Sequence, residues 1–164
     1  MLNQGILKEL WKITSRTTLP SSMARGPARF GTPGQGRIKA DEWRTICLVL
    51  LPITLIIEWG NATDGEIERD LLDNFMALVT TVKWATRHMT SERIRNIVQT
   101  SYHFYCESLV EIFGEGFLSP NHHLTFHLIE CLTLFGPVIG WWAFPFEQYN
   151  GIIQRIRNNG RFGS

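Results

Sequence analysis

Three histidines and a cysteine in the C-terminal third of this sequence carry the spacing most able to do chemistry. His123 and His127 are four apart, so on a helix they share a face, and Cys131 continues the row by one turn. Imidazole nitrogens and a thiolate at such spacing can ligate zinc. Three ligands in line along one helix do not close a tetrahedron, however, and no second half of a site is recognisable. No metal centre is therefore expected from these residues. The structural alternative is a cluster in which His122, His123 and His127, with Trp142, hydrogen-bond backbone or the Glu147 carboxylate, or touch a substrate. In such a cluster the loss of one partner leaves the other unpaired, and His127→Ala would cost about 1–3 kcal/mol.

Glu147 is the second candidate. It follows Trp141, Trp142, Phe144 and Phe146 and precedes Tyr149-Asn150-Gly151, a costly place for an idle surface charge. A glutamate in a first helical turn also simply favours the positive end of the helix dipole. The aromatic run could stack on unpaired bases, with Arg155 and Arg157 beside it for phosphates. Aromatic residues at this density also serve as core.

The elements that must position these residues form a helical pair over 120–158. Asn121 is the expected N-cap of the first helix, and Leu124, Leu128, Cys131, Leu132 and Phe135 recur at the spacing of an apolar face. Gly136-Pro137 stops it. A second helix is predicted from Pro145 through Ile152, Ile153 and Ile156 to Asn158-Asn159-Gly160.

Upstream, the pattern is helical throughout. Leu2–Thr14 reads as a short amphipathic helix. The stretch 16–39 is rich in glycine and proline and reads as a long basic loop. Its Gly31-Thr32-Pro33-Gly34-Gln35-Gly36 lacks the Lys-Ser/Thr pair and the preceding strand of a phosphate loop. Helix 42–59, capped by Asp41 and kinked at Pro52, is so continuously apolar that burial on most sides is expected. Helices over 66–88 and 91–114 follow. No stretch alternates as a strand would, so the expected class is all-α: about six helices around a single core, one domain over 1–164.

A chain of 164 residues with 44% hydrophobic content can fill such a core. The formal net charge is only +1, but it is unevenly placed. Six basic residues and no acid lie from Lys12 to Lys39, and the acids gather between Glu58 and Asp73. That asymmetry fits an anionic partner at Arg25, Arg29, Arg37 and Lys39 as well as at Arg155 and Arg157, or a solvated loop. Cys47, Cys106 and Cys131 are odd in number and widely spaced, as reduced thiols of an intracellular protein are. The apolar run 46–57 contains Pro52 and falls short of the roughly 20 residues a membrane span needs, so no membrane is expected.

Several short motifs, taken in order, carry a resemblance. Thr18-Leu19-Pro20-Ser21 comes first, then Gly36-Arg37-Ile38-Lys39-Ala40-Asp41-Glu42-Trp43-Arg44-Thr45 and Leu51-Pro52-Ile53-Thr54-Leu55 with Trp59-Gly60. Asn121-His122-His123, His127, Phe135-Gly136-Pro137-Val138, Trp142 and Phe144-Pro145-Phe146-Glu147 with Asn150-Gly151 complete the series. Together they resemble the C-terminal region of CACTA-type (En/Spm-like) DNA transposases and related fungal transposon-encoded proteins. The resemblance implies a fragment of a larger transposase, nuclear in location, that contacts transposon DNA. It makes Glu147 the candidate third carboxylate of a DDE site, where Mg2+ or Mn2+ activates water and stabilises the leaving oxygen. It also implies an upstream catalytic core as partner. The chain's only aspartates are Asp41, Asp64, Asp70 and Asp73, all in predicted helices or turns, so the isolated chain is expected to be inactive and to hold no cofactor. The second reading, from a different class, is a helical protein-interaction module with no nucleic-acid role; oligomeric state is not legible.

Overall fold

The computed structural model of the chain describes residues 3–141 apart from Ser22, Pro33 and Gly34. The helix predicted from Pro145, and with it Trp142, Glu147, Arg155 and Arg157, lies outside the described residues. Among those residues the regular structure is helical and no strand occurs.

Helix α1 (Gln4–Arg16) begins where the Asn3 side chain accepts the Ile6 N–H at 2.9 Å. After the 17–39 stretch, α2 (Ala40–Thr45) runs through a π-helical turn (Ile46–Leu50) directly into α3 (Leu51–Trp59). Pro52 explains that turn. It has no N–H for the carbonyl four residues back, and its ring would strike that oxygen. The ladder widens just ahead of it, with the Leu51 N–H reaching back to the Ile46 carbonyl. The expected kink is thus a local widening of the helix. The N-cap of α2 is Lys39 rather than Asp41, because Glu42 supplies the acceptor, taking the Lys39 N–H at 2.8 Å.

Helices α4 (Ile67–Ala85) and α5 (Glu92–Phe113) form the largest helix–helix interface. They run antiparallel: Asn74 meets Tyr105 and Ser108, while Ala85 packs near Val98. Ser91 caps α5 by accepting the Ile94 N–H, and Gly114, at φ 87°, ends it in a conformation other residues adopt only under strain. Helices α6 (Pro120–Phe126) and α7 (Leu128–Leu134) replace the single helix expected there, with a break at His127. Gly136, at φ 77°, follows α7 as the stop signal predicts.

Clusters of buried apolar side chains lie toward the two ends of α4. At one end Leu10 and Ile13 pack with Ile46, Leu50 and Leu51, and Ile6 packs with Leu55 and Leu72; Phe75 touches both groups. At the other, Ala85, Val98 and Leu132 pack together, flanked by Trp84, Ile94 and Leu128. The expectation that α3 is buried on most sides is corrected. Leu51, Thr54 and Leu55 are buried, but Ile53, Ile56 and Ile57 are 40%, 50% and 57% exposed, since α1 and α4 cover one side only.

Several buried hydroxyls are matched locally. Thr14, Thr54 and Thr81 each return their hydroxyl to the carbonyl four residues back, at 2.7–2.9 Å. Asn74, 6% exposed, instead bonds across the helix interface, its Nδ2 donating to the Tyr105 carbonyl and to Ser108 Oγ, both at 2.9 Å. Asn74→Ala is expected to lower the unfolding free energy by about 1–3 kcal/mol, because it removes two buried hydrogen bonds between the helices. Asn96→Ala, at an exposed position of α5, is expected to stay within about 0.5 kcal/mol of the parent. Urea unfolding of both variants checks this.

Candidate functional site

The cations predicted to meet an anionic partner are displayed from a fixed platform. Between α1 and α2 the described residues adopt turns and extended backbone only. Gly26 is buried, and a Cβ there would come within 2.8 Å of Ile46 Cγ1, so only glycine allows the chain so close to the π-helical turn. Four residues on, Phe30 packs edge-on against Trp43 at 5.3 Å, and its carbonyl accepts the Trp11 indole N–H at 2.9 Å. Phe30 and Ile38 also pack on the cluster around Leu50. Arg25 and Arg29 adjoin these anchors, and Arg37 and Lys39 flank Ile38. All four are exposed, and among the described residues none of them pairs with a carboxylate.

The three histidines do not form one cluster. His122 alone is tied in. Its Nδ1 accepts the Ser119 N–H at 2.9 Å and lies 2.9 Å from Ser119 Oγ; its Nε2 lies 3.3 Å from the Tyr105 hydroxyl. A backbone N–H can only donate, so Nδ1 is the acceptor and the ring proton sits on Nε2, facing Tyr105. Ser119 with His122 is therefore a capping box in which histidine takes the place of the usual Glu or Gln. This corrects the expected N-cap from Asn121 to Ser119; Pro120 sits in the first turn, where its missing N–H costs nothing. By contrast, the His123 and His127 rings meet edge-on at 5.4 Å on the surface. His127 Nδ1 is 3.7 Å from Glu130 Oε2, with both side chains largely exposed at 58% and 69%. Among the described residues His127→Ala would strand no buried partner; Glu147, the carboxylate the expectation offered the cluster, lies outside them.

Two tyrosines complete the node. The Tyr102 hydroxyl donates to the His122 carbonyl at 2.8 Å, and its ring packs edge-on against Phe126 at 4.9 Å. Tyr105 lies against the His122 ring, centroids 5.8 Å apart. Burial pushes the Tyr102 phenol up to about 12 and raises Tyr105 as well. A cavity of about 340 Å³ opens between α4, α5 and α6, walled by Leu78, Val82 and Leu128 with Tyr102, Tyr105 and His122 at its polar side. No charged side chain lines it. Phenols held protonated donate and accept hydrogen bonds, and the Tyr102 bond to the His122 carbonyl fixes the start of α6 on α5.

The described residues do not fit the paired-metal site that the transposase resemblance implies. Among them no three His, Cys, Asp or Glu side chains come together as ligands. Asp73 is engaged by Arg69 at 2.8 Å, and Asp41 lies in the first turn of α2. Glu147 lies outside the described residues. The cysteines are free, with Cys106 buried and Cys47 and Cys131 half-buried; burial raises Cys47 and Cys106. Among the described residues no helix is long and apolar enough to cross a membrane.

Sequence reasoning missed Tyr102, Tyr105, Ser119 and Asn74. A signal existed for one of them: Ser-Pro-x-His has the spacing of a capping box, read with an unusual last member. No family model matches the chain, and neither a curated protein nor a solved structure is significantly similar to it.

His122→Gln retains the capping acceptor and should lose less stability than His122→Ala, whose expected cost is about 1–2 kcal/mol for the lost cap. His127→Ala should be close to neutral, within about 0.5 kcal/mol. Thermal unfolding of the three variants ranks them. The raised Tyr102 gives a pH prediction of definite sign. The folded chain holds this proton up to about pH 12, whereas the unfolded chain releases it near 10. The contribution is complete below about pH 10 and is lost as pH rises toward 12. Urea midpoints at pH 9, 10 and 11 should fall, and Tyr102→Phe should flatten part of the fall. Tyr105, Cys106 and Cys47, also raised by burial, add to the fall in the same direction.

Proposed function

We infer that the chain is a non-catalytic helical domain that contacts DNA through the cations of the 16–39 stretch. In a longer protein it would complete a DDE active site built mainly from an upstream catalytic core, with Mg2+ or Mn2+ belonging to that assembly. A nuclear location belongs to the same reading. The single observation that supports it best is the presentation of Arg25, Arg29, Arg37 and Lys39. All four are solvent-facing, and the backbone beside them is pinned to α1 and α2 through Gly26, Phe30 and Ile38. A pinned backbone spends less ordering entropy when a phosphate is gripped than a free loop does. The motif order shared with CACTA-type transposases supports the choice of DNA as the polyanion. Glu147 is the candidate third carboxylate in this reading, and Arg155 and Arg157 are further phosphate contacts.

The salt dependence of binding tests it. Neutralising phosphates releases counterions, so affinity for a labelled duplex should fall steeply between about 50 and 200 mM salt. Replacing Arg25, Arg29, Arg37 and Lys39 together by Ala should reduce the slope of log affinity against log salt by about 3.6. Fluorescence anisotropy measures both. A chain that binds neither duplex nor single strand at low salt would transfer the reading to the protein-interaction module.

A further inference from the structure

The face formed by α5 and α6 has the opposite charge character from the 16–39 stretch. From Asn96 to Gln154 the sequence contains no Lys or Arg. The described part of that run carries Glu107, Glu111, Glu115 and Glu130, all exposed and none engaged by Lys or Arg among the described residues. A groove of about 520 Å³ lies on this face. Cys106 and Val110, four apart on α5, form one wall, and Leu118 and Phe126 form the other. Glu107 and Glu111, also four apart, line it alongside them, and His123 lines its α6 side. Leu118 and Phe126 are 44% and 39% exposed, and Phe113 and Phe117 stack nearby at 4.9 Å with Phe117 58% exposed.

Apolar surface this open is costly in water unless something covers it. The shape and charge define the cover. The groove runs along α5, with Cys106, Glu107, Val110 and Glu111 on its α5 side, and a helix laid in such a groove presents apolar residues at three- and four-residue spacing. Carboxylates on one wall that no cation of the described residues engages favour Lys or Arg on the occupant and oppose a phosphate backbone.

We propose that the groove between α5 and α6, walled by Cys106, Val110, Leu118 and Phe126 and edged by Glu107 and Glu111, docks a basic amphipathic helix of a partner protein. The apolar stripe of that helix fills the groove, and its cations lie over the two carboxylates. Burial of the stripe supplies most of the affinity, while the charges set orientation and exclude acidic helices. The proposal does not depend on DNA binding at the 16–39 cations.

The probe is a labelled 18-residue peptide with Leu at heptad spacing on one face and Lys on the flanks. Two controls accompany it: a Glu-for-Lys version, and an isomer of the same composition with the period broken. Full-length chain should bind the first peptide at least ten times more tightly than either control. Glu107→Lys with Glu111→Lys should remove that preference. The same charge change at Glu58 and Glu68, both exposed and remote in sequence, should leave it intact. Equal binding of the three peptides, no binding, or equal loss in both charge variants would overturn the proposal. Two other occupants would also overturn it. One is a second copy of the chain, seen as a dimer in light scattering that Phe126→Ser dissolves. The other is the chain's own C-terminal stretch, seen as peptide binding that appears only when Ile152 and Ile156 are replaced by Ser in the full chain.

Discussion

The packing of α4 against α5 is the constraint on which the rest of the described structure depends. The ends of α4 carry different cores. Leu72 and Phe75 join the groups built by α1, the π-helical turn and α3, while Ala85 joins Val98 and Leu132. If α4 and α5 slid past one another by one turn, Asn74 would lose both partners at once, the Tyr105 carbonyl and Ser108 Oγ. Apolar contacts alone tolerate such slips better than a buried amide does, since the amide finds its hydrogen bonds in one register. Tyr102 and Tyr105 lie on the same helix α5, so that register also decides where the His122 cap, and hence α6, can form.

The charge segregation is the second organising fact, hidden by a net charge of +1. Salt screens exposed charges over roughly 8 Å at physiological ionic strength, so a partner feels the local face and not the total. The segment from Lys12 to Lys39 has six cations and no acid, whereas the run 96–154 has no Lys or Arg at all. The α5 side of the groove lies beside the half of α4 where Asn74 bonds Tyr105 and Ser108, the same half whose Phe75 packs on the cluster that holds Phe30 and Ile38. One chain thus carries a cationic stretch and a groove edged by carboxylates, each felt locally by a partner.

Much of the helical framework was legible in the sequence because its signals are local. The caps at Ser91 and Gly114 bound α5 to within a residue, and the apolar period over 66–88 marks α4. Less legible was anything that depends on which surfaces meet. The continuous apolar run of α3 reads as a fully buried helix, yet the described neighbours cover one side and leave Ile53, Ile56 and Ile57 in contact with solvent. The histidine row misled for a similar reason. Spacing of four places His123 and His127 on one face but does not say whether that face turns inward, and here it turns outward. His122, one residue earlier, is the one that matters to the fold. Its partners Ser119 and Tyr105 are reached through a cap and an interhelical contact, neither of which a period can show.

The same reasoning bears on how the basic stretch could hold a shape without a helix of its own. A long segment rich in glycine and proline ordinarily gains too little burial to offset its ordering entropy. Here a few contacts are spaced through it: Gly26 on Ile46, Phe30 between Trp11 and Trp43, and Ile38 on the Leu50 cluster. Each anchor is apolar or bonded through backbone, so no cation is spent on holding the fold. The arginines lie beside the anchors rather than on them, and any anion that meets them competes with water and not with a carboxylate of this chain. That division explains why the segment can be both fixed and electrostatically unspent. It also implies that loosening an anchor and removing a charge act through different physics: the first raises the ordering cost of binding, the second lowers its salt dependence.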